Sequence, residues 1–178
     1  MSLFVIADPH LSFSSNKSMD IFKGWSDYTS RLRDNWQSAV SENDTVVVPG
    51  DISWAMNIEE ALNDFKFLNS LNGRKIILKG NHDYWWTTKS KADKFFEANG
   101  LTTLNVLNNN FYSYEDIGIC GTRGWINDGS EPADAKVIRR EAMRLERSIQ
   151  GAVQSGLYPV VFMHYPPVFA ESINDDIM

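Results

Sequence analysis

Lys75-Ile76-Ile77-Leu78-Lys79-Gly80-Asn81-His82-Asp83 runs from an aliphatic segment straight into a cluster of ligand and proton-transfer residues. Three other short apolar runs end the same way. Leu3-Phe4-Val5-Ile6-Ala7 leads into Asp8-Pro9-His10, Thr45-Val46-Val47-Val48-Pro49 into Gly50-Asp51, and Val160-Val161-Phe162-Met163 into His164-Tyr165-Pro166-Pro167. Runs of β-branched and aliphatic residues at this length predict strands buried on both faces. Sheets of that kind bind ligands beyond the carboxyl ends of their strands. All three histidines of the chain fall in these clusters, so a single site can collect them.

The segments between the clusters read as helices. Leu32, Trp36, Ala39 and Val40 recur at helical spacing, as do Ile58, Ala61, Leu62, Phe65, Leu68 and Leu71 before Asn72-Gly73 stops the pattern. A third helix carries Ala92, Phe95 and Phe96 and closes at Asn99-Gly100. Strand and helix in alternation predict a parallel sheet with helical cover. After Gly100 the texture changes. Residues 104–107, 111–114 and 117–120 are strand-like pieces separated by Asn108-Asn109-Asn110 and Glu115-Asp116, which predicts an antiparallel meander opening a second sheet. An amphipathic helix over about 135–153 follows, and residues 11–23, rich in Ser, Asn and Lys, predict an exposed loop near the site. Residues 1–178 read as one domain of the α/β class.

Composition bounds the function. A chain of 178 residues buries roughly 70% of its unfolded surface, and the net charge of −6 gives no general basic surface for nucleic acid. Anionic partners therefore require local positive charge, such as bound cations. The one cysteine, Cys120, excludes an internal disulfide and predicts a reduced, cytoplasmic setting, with the thiol as a small core group. The amino terminus lacks a basic leader, and no run reaches the ~18 apolar residues of a membrane span.

The clusters suit dinuclear metal chemistry. Asp8 and His10, two apart at a strand end, offer one hard oxygen and one imidazole nitrogen to a divalent first-row metal. Asp51 has two oxygens that can bridge cations, and Asn81 and His164 offer an oxygen and a nitrogen to a second. Two cations about 3.5–4 Å apart clamp a phosphoryl group and lower the pKa of a shared water, which makes a hydroxide nucleophile near neutral pH. His82 is left to protonate the departing oxygen or to stabilise charge on the phosphoryl group.

In this order the pattern resembles the calcineurin-like metallophosphoesterase superfamily, whose signature runs Asp-x-His, Gly-Asp, Gly-Asn-His-Asp/Glu, His and finally Gly-His-x-His. The resemblance spans residues 8–167, and Gly80-Asn81-His82-Asp83 is its most specific part. It implies Asp8 and His10 on the first metal, Asp51 bridging, Asn81 and His164 on the second, and His82 as the catalytic histidine. It further implies manganese, iron or zinc as the metals, and an αββα sandwich of two mixed sheets flanked by helices. The final Gly-His-x-His is absent before Met178. The expectation is a shortened member lacking carboxyl-terminal strands, with a sheet edge that could recruit a second copy into a homo-oligomer. The rival reading is a scaffold or binding module that holds metal weakly.

The substrate is narrowed by what surrounds the motifs. Gly50-Asp51-Ile52-Ser53-Trp54-Ala55 lacks the second Asp and the Arg of the superfamily's protein phosphatases, which implies a small phosphate ester over a phosphoprotein. Trp54, Tyr84, Trp85, Trp86 and Trp125 lie in the same loops. They read either as core or as an aromatic rim, with Trp54 and Trp86 the rim's substrate contacts. Arg123 fits a paired contact with phosphate oxygens or, equally, a structural salt bridge.

Overall fold

The computed structural model describes residues 1–125, 132–169 and 172–178. They form two compact units, one of Met1–Ile77 with Asn81–Val106 and one of Leu78–Gly80 with Leu107–Met178.

The first unit is built of alternating strands and helices: β1 (Leu3–Val5), α1 (Tyr28–Ala39), β2 (Thr45–Val48), α2 (Leu62–Ser70), β3 (Arg74–Ile77), α3 (Lys89–Ala98) and β4 (Leu104–Val106). The strands lie in the order β1-β2-β3-β4, all parallel, with Phe4 opposite Val46, Val47 opposite Ile76 and Ile77 opposite Val106. β2 is buried at every residue and β3 nearly so, as continuous apolar runs require. β1 is an edge strand with Val5 half exposed, so its run is covered less than the sequence predicts. Trp36, Val46, Val48, Phe65, Leu68, Ile77, Ala92, Phe96 and Val106 share one core, and Phe65 meets the edges of Trp85 and Phe96 at ring distances of 4.7 and 5.2 Å.

Three expectations shift here. Residues 104–106 were expected in the meander; they instead form the fourth parallel strand, because α3 carries the chain back beside β3 and both Leu104 and Val106 find burial there. α2 begins at Leu62, four residues later than its apolar periodicity. Asn57 Oδ1 accepts the Glu60 amide and Glu60 Oε2 accepts the Met56 amide, so local side-chain bonds hold these residues in a turn. The loop over 11–23 is not wholly exposed: Leu11 and Met19 are buried, and Met19–Ile21 form a 3-10 turn.

The second unit opens with the hairpin of β5 (Tyr112–Tyr114) and β6 (Ile117–Thr122), then α4 (Pro132–Gln154) and β7 (Tyr158–Met163). β7 pairs parallel to β6, which makes this sheet mixed, and α4 covers both strands. Gly118 permits that cover, since a Cβ there would collide with the Ala152 methyl. Cys120 is fully buried on β6. β7 borders its sheet, and its Tyr158 and Val161 are exposed, again less covered than expected. A short antiparallel pair, β8 (Val168–Phe169) and β9 (Ser172–Ile173), follows. The α/β class with two sheets and flanking helices holds, the first sheet being parallel throughout. Among the described residues no helix is long and apolar enough to cross a membrane.

Lys75 on β3 is fully buried, its ammonium donating to the carbonyls of Leu71 and Gly73 just past α2. The carbonyls of the turn that follows the helix gain a donor, while burial pushes the Lys75 pKa down from 10.5 to about 8. Between those values the unfolded chain binds a proton that the folded chain does not. Stability from this group therefore rises with pH from about 8 to about 10.5 and is flat below, at up to roughly 1.4 kcal/mol per pH unit. Urea unfolding across that window should show the slope in the wild type and a flatter curve in Lys75→Met.

Candidate metal centre

In the first unit, pairing between β1 and β2 continues past the strands. The Ile6 amide donates to Val47, Asp8 to Gly50, His10 to Asp51 and Leu11 to Ile52, at 2.9–3.2 Å. Trp54 returns a bond to the Leu11 carbonyl, and Leu11 bridges Ser53. The loops after β1 and β2 are thus zipped along their backbones. Asp8, His10 and Asp51 all hold positive φ, at 56°, 44° and 52°. Residues with a Cβ avoid this region unless the surroundings enforce it, and such strain gathers at functional sites.

The loop after β3 is tied to the loop after β2 by two reciprocal bonds. Asp51 Oδ1 accepts the His82 amide at 2.8 Å, and Asp83 Oδ1 accepts the Ile52 amide at 2.8 Å. Asp83, fully buried, also takes the Ser53 amide at 3.2 Å and the Trp85 indole at 2.9 Å. Ser53 donates its hydroxyl to Asp64, whose other oxygen accepts the Phe13 amide. Burial raises the Asp64 pKa above the usual carboxylate range, opposed by those two bonds. The Tyr28 hydroxyl donates to the His10 carbonyl at 2.8 Å, and burial pushes its pKa up to about 12. Sequence reasoning assigned no role to Asp83, Asp64 or Tyr28, all of which secure the loops from behind.

Of the expected site residues, the first unit brings Asp51, His10, His82 and Trp54 together. Asp51 Oδ2 lies 3.7 Å from His10 Nε2. That is too long for a hydrogen bond, yet suits two donors that each sit about 2.0–2.2 Å from one cation. His82 Nδ1 is buried without a partner. An imidazole and a carboxylate spaced in this way fit a divalent cation. Trp54 stacks on His10 at 5.0 Å with 19° between planes and lies 4.3 Å from the His82 ring, while the Lys17 ammonium sits 4.2 Å from its centroid. Trp25 reaches the His10 ring at 6.3 Å. Trp85 belongs to the core, and Trp86 packs on it at 5.1 Å. Asn81 is half-buried, immediately before His82.

The other two expected residues lie in the second unit, just past the paired ends of β6 and β7. His164 sets its ring edge-on to Tyr165 at 5.0 Å. Arg123 approaches Glu141 at 3.9 Å and stacks over Trp125 at 4.5 Å.

A family model described as calcineurin-like phosphoesterase matches residues 1–177. The chain belongs to that family. Among solved structures, this calcineurin-like phosphoesterase is similar to a protein of unknown function from Aquifex aeolicus, at 17% identity and a TM-score of 0.46 over 90% of this chain and 89% of the other. It is also similar to the phosphopantetheinyl hydrolase PptH from Mycobacterium tuberculosis, at 16% identity and a TM-score of 0.49 over 92% and 68%. No curated protein matches it.

Asp83 gives the phosphoesterase its clearest structural test. Asp83→Ala strands three donors that are buried or bonded only there, and each orphaned donor is worth about 1–3 kcal/mol. Urea unfolding should show a loss of about 3–5 kcal/mol. Asp83→Asn, which keeps an oxygen acceptor, should lose less.

Proposed function

We propose that this phosphoesterase hydrolyses phosphate mono- or diesters of small molecules with the help of two divalent cations. Family membership over residues 1–177 supports the reaction class. The observation that carries the reading is the Asp51 carboxylate, fixed by the His82 amide on one oxygen and facing His10 Nε2 at 3.7 Å with the other.

In this reading Asp8 and His10 would hold one cation, Asn81 and His164 would hold a second, and the Asp51 carboxylate would serve both. Bound there, the cations supply charge neutralisation at the phosphoryl oxygens and acidify a water. The chain's own residues do the rest. Asp51 needs no reorganisation, because its position is set by backbone bonds on both sides. His82 carries the proton to the departing ester oxygen or stabilises the charge that develops on the phosphoryl group. Its main chain is anchored at Asp51, and its ring lies against Trp54, which fixes the imidazole plane and keeps bulk water from one side. Trp54 in turn forms the aromatic wall that the substrate's organic group meets.

The test is hydrolysis of nitrophenyl phosphate and its diester with manganese, iron or zinc, together with calorimetric titration by manganese. Metal-dependent turnover and tight, near-stoichiometric binding are expected. His82→Ala should lower kcat by about 10²–10⁴-fold with manganese binding retained, whereas Asp51→Asn should abolish both. Absence of binding heat and of turnover with all three metals would remove the enzymatic reading.

A further inference from the structure

We infer that the Arg123 guanidinium is an oxyanion-binding group shaped for a pair of phosphate oxygens, and that Glu141 and Trp125 hold it in position. The inference rests on the phosphoesterase reading only for the identity of the natural ligand. The geometry stands within the second unit alone.

β6 and β7 run in parallel register up to Thr122 opposite Met163. The pairing extends one step further, with the Tyr165 amide donating to the Arg123 carbonyl at 2.8 Å. Arg123 and His164 therefore leave the sheet from neighbouring strand ends, where ligands of such sheets collect.

The Arg123 side chain is only 13% exposed, and its Nε is buried without an acceptor. The nearest carboxylate oxygen, Glu141 Oε1, is 3.9 Å from Nη2 and beyond hydrogen-bond reach. Glu141 is already engaged. It takes the Thr122 hydroxyl at 2.6 Å and Arg144 Nη1 at 2.7 Å, and Arg140 also approaches it at 3.9 Å. Three guanidinium groups thus surround one carboxylate, which leaves a local surplus of positive charge in a chain whose net charge is −6.

A guanidinium placed for stability makes bonds like those of Arg144. Arg123 Nε has lost its hydration without replacing it, a state that is destabilising unless a ligand supplies the acceptor. Trp125, 4.5 Å beneath the guanidinium carbon, fixes the plane of the fork. A planar fork of N–H donors matches phosphate oxygens in pairs, which an ammonium cannot do.

The test uses the whole chain in a metal chelator, with inorganic phosphate as the probe and chloride at matched ionic strength as the reference. Phosphate should raise the thermal midpoint saturably and change tryptophan emission. Trp125→Phe should lose most of the emission change while keeping a midpoint shift. Arg123→Lys, which keeps the charge and loses the fork, should weaken the apparent phosphate affinity at least about tenfold. A wild type with no phosphate-specific shift overturns the inference, as does an Arg123→Lys variant that binds phosphate like the wild type. If Arg123→Lys does not fold, the wild-type titration together with Trp125→Phe decides. Manganese titration separates the two readings: phosphate binding without manganese binding sinks the hydrolase and leaves the subsite, and the reverse sinks the subsite alone.

Discussion

The crossed pair of bonds between the loops after β2 and β3 is the constraint on which the candidate centre depends. Asp51 takes the amide of His82, and Asp83, one residue further on, takes the amide of Ile52, one residue after Asp51. Each loop thereby supplies a carboxylate and an amide to the other. Asp83 is fully buried, so its bonds form where water does not compete, and a charged acceptor there is worth more than a neutral one. The Asp51 oxygen that faces His10 is aimed by the same contacts that close the core beneath it.

Parallel pairing makes that arrangement possible. Val48 and Ile77 are register partners at the last residues of β2 and β3, so both loops start at the same level of the sheet. On the other side, β1 delivers Asp8 and His10 to the edge of the same loop, and the backbone ladder carries them along it. Phe65, Leu68 and Trp85 fill the space behind. Trp85 serves both purposes, with its ring in the core and its indole N–H on Asp83.

Much of this was legible in the chain itself. Apolar runs that end abruptly at Asp, His and Asn located the strand ends, because a buried strand can carry polar ligands only where it leaves the sheet. The buried cysteine and the three crossover helices were equally readable from pattern. What escaped reading depends on partners far along the chain. Nothing near Asp83 announces that its acceptors serve amides of residues 52 and 53, since those donors carry no side-chain signature. Nor does local propensity assign residues 104–106 to the first sheet: a short run beside Asn108-Asn109-Asn110 looks like a hairpin arm, and only the position of α3 decides otherwise. The aromatic residues divided for the same reason. Trp54 and Trp85 sit in similar sequence surroundings, yet one stacks on His10 and the other fills the core.

The left-handed backbone at Asp8, His10 and Asp51 bears on how such a protein can evolve. Each position would relax if glycine stood there, because the strain comes from the Cβ, and each glycine would delete a candidate ligand. Thermal robustness and chemistry therefore pull in opposite directions at these three residues. A lineage released from the need for these side chains would drift first toward glycine or asparagine at these strand ends, and it would gain firmness as it lost them.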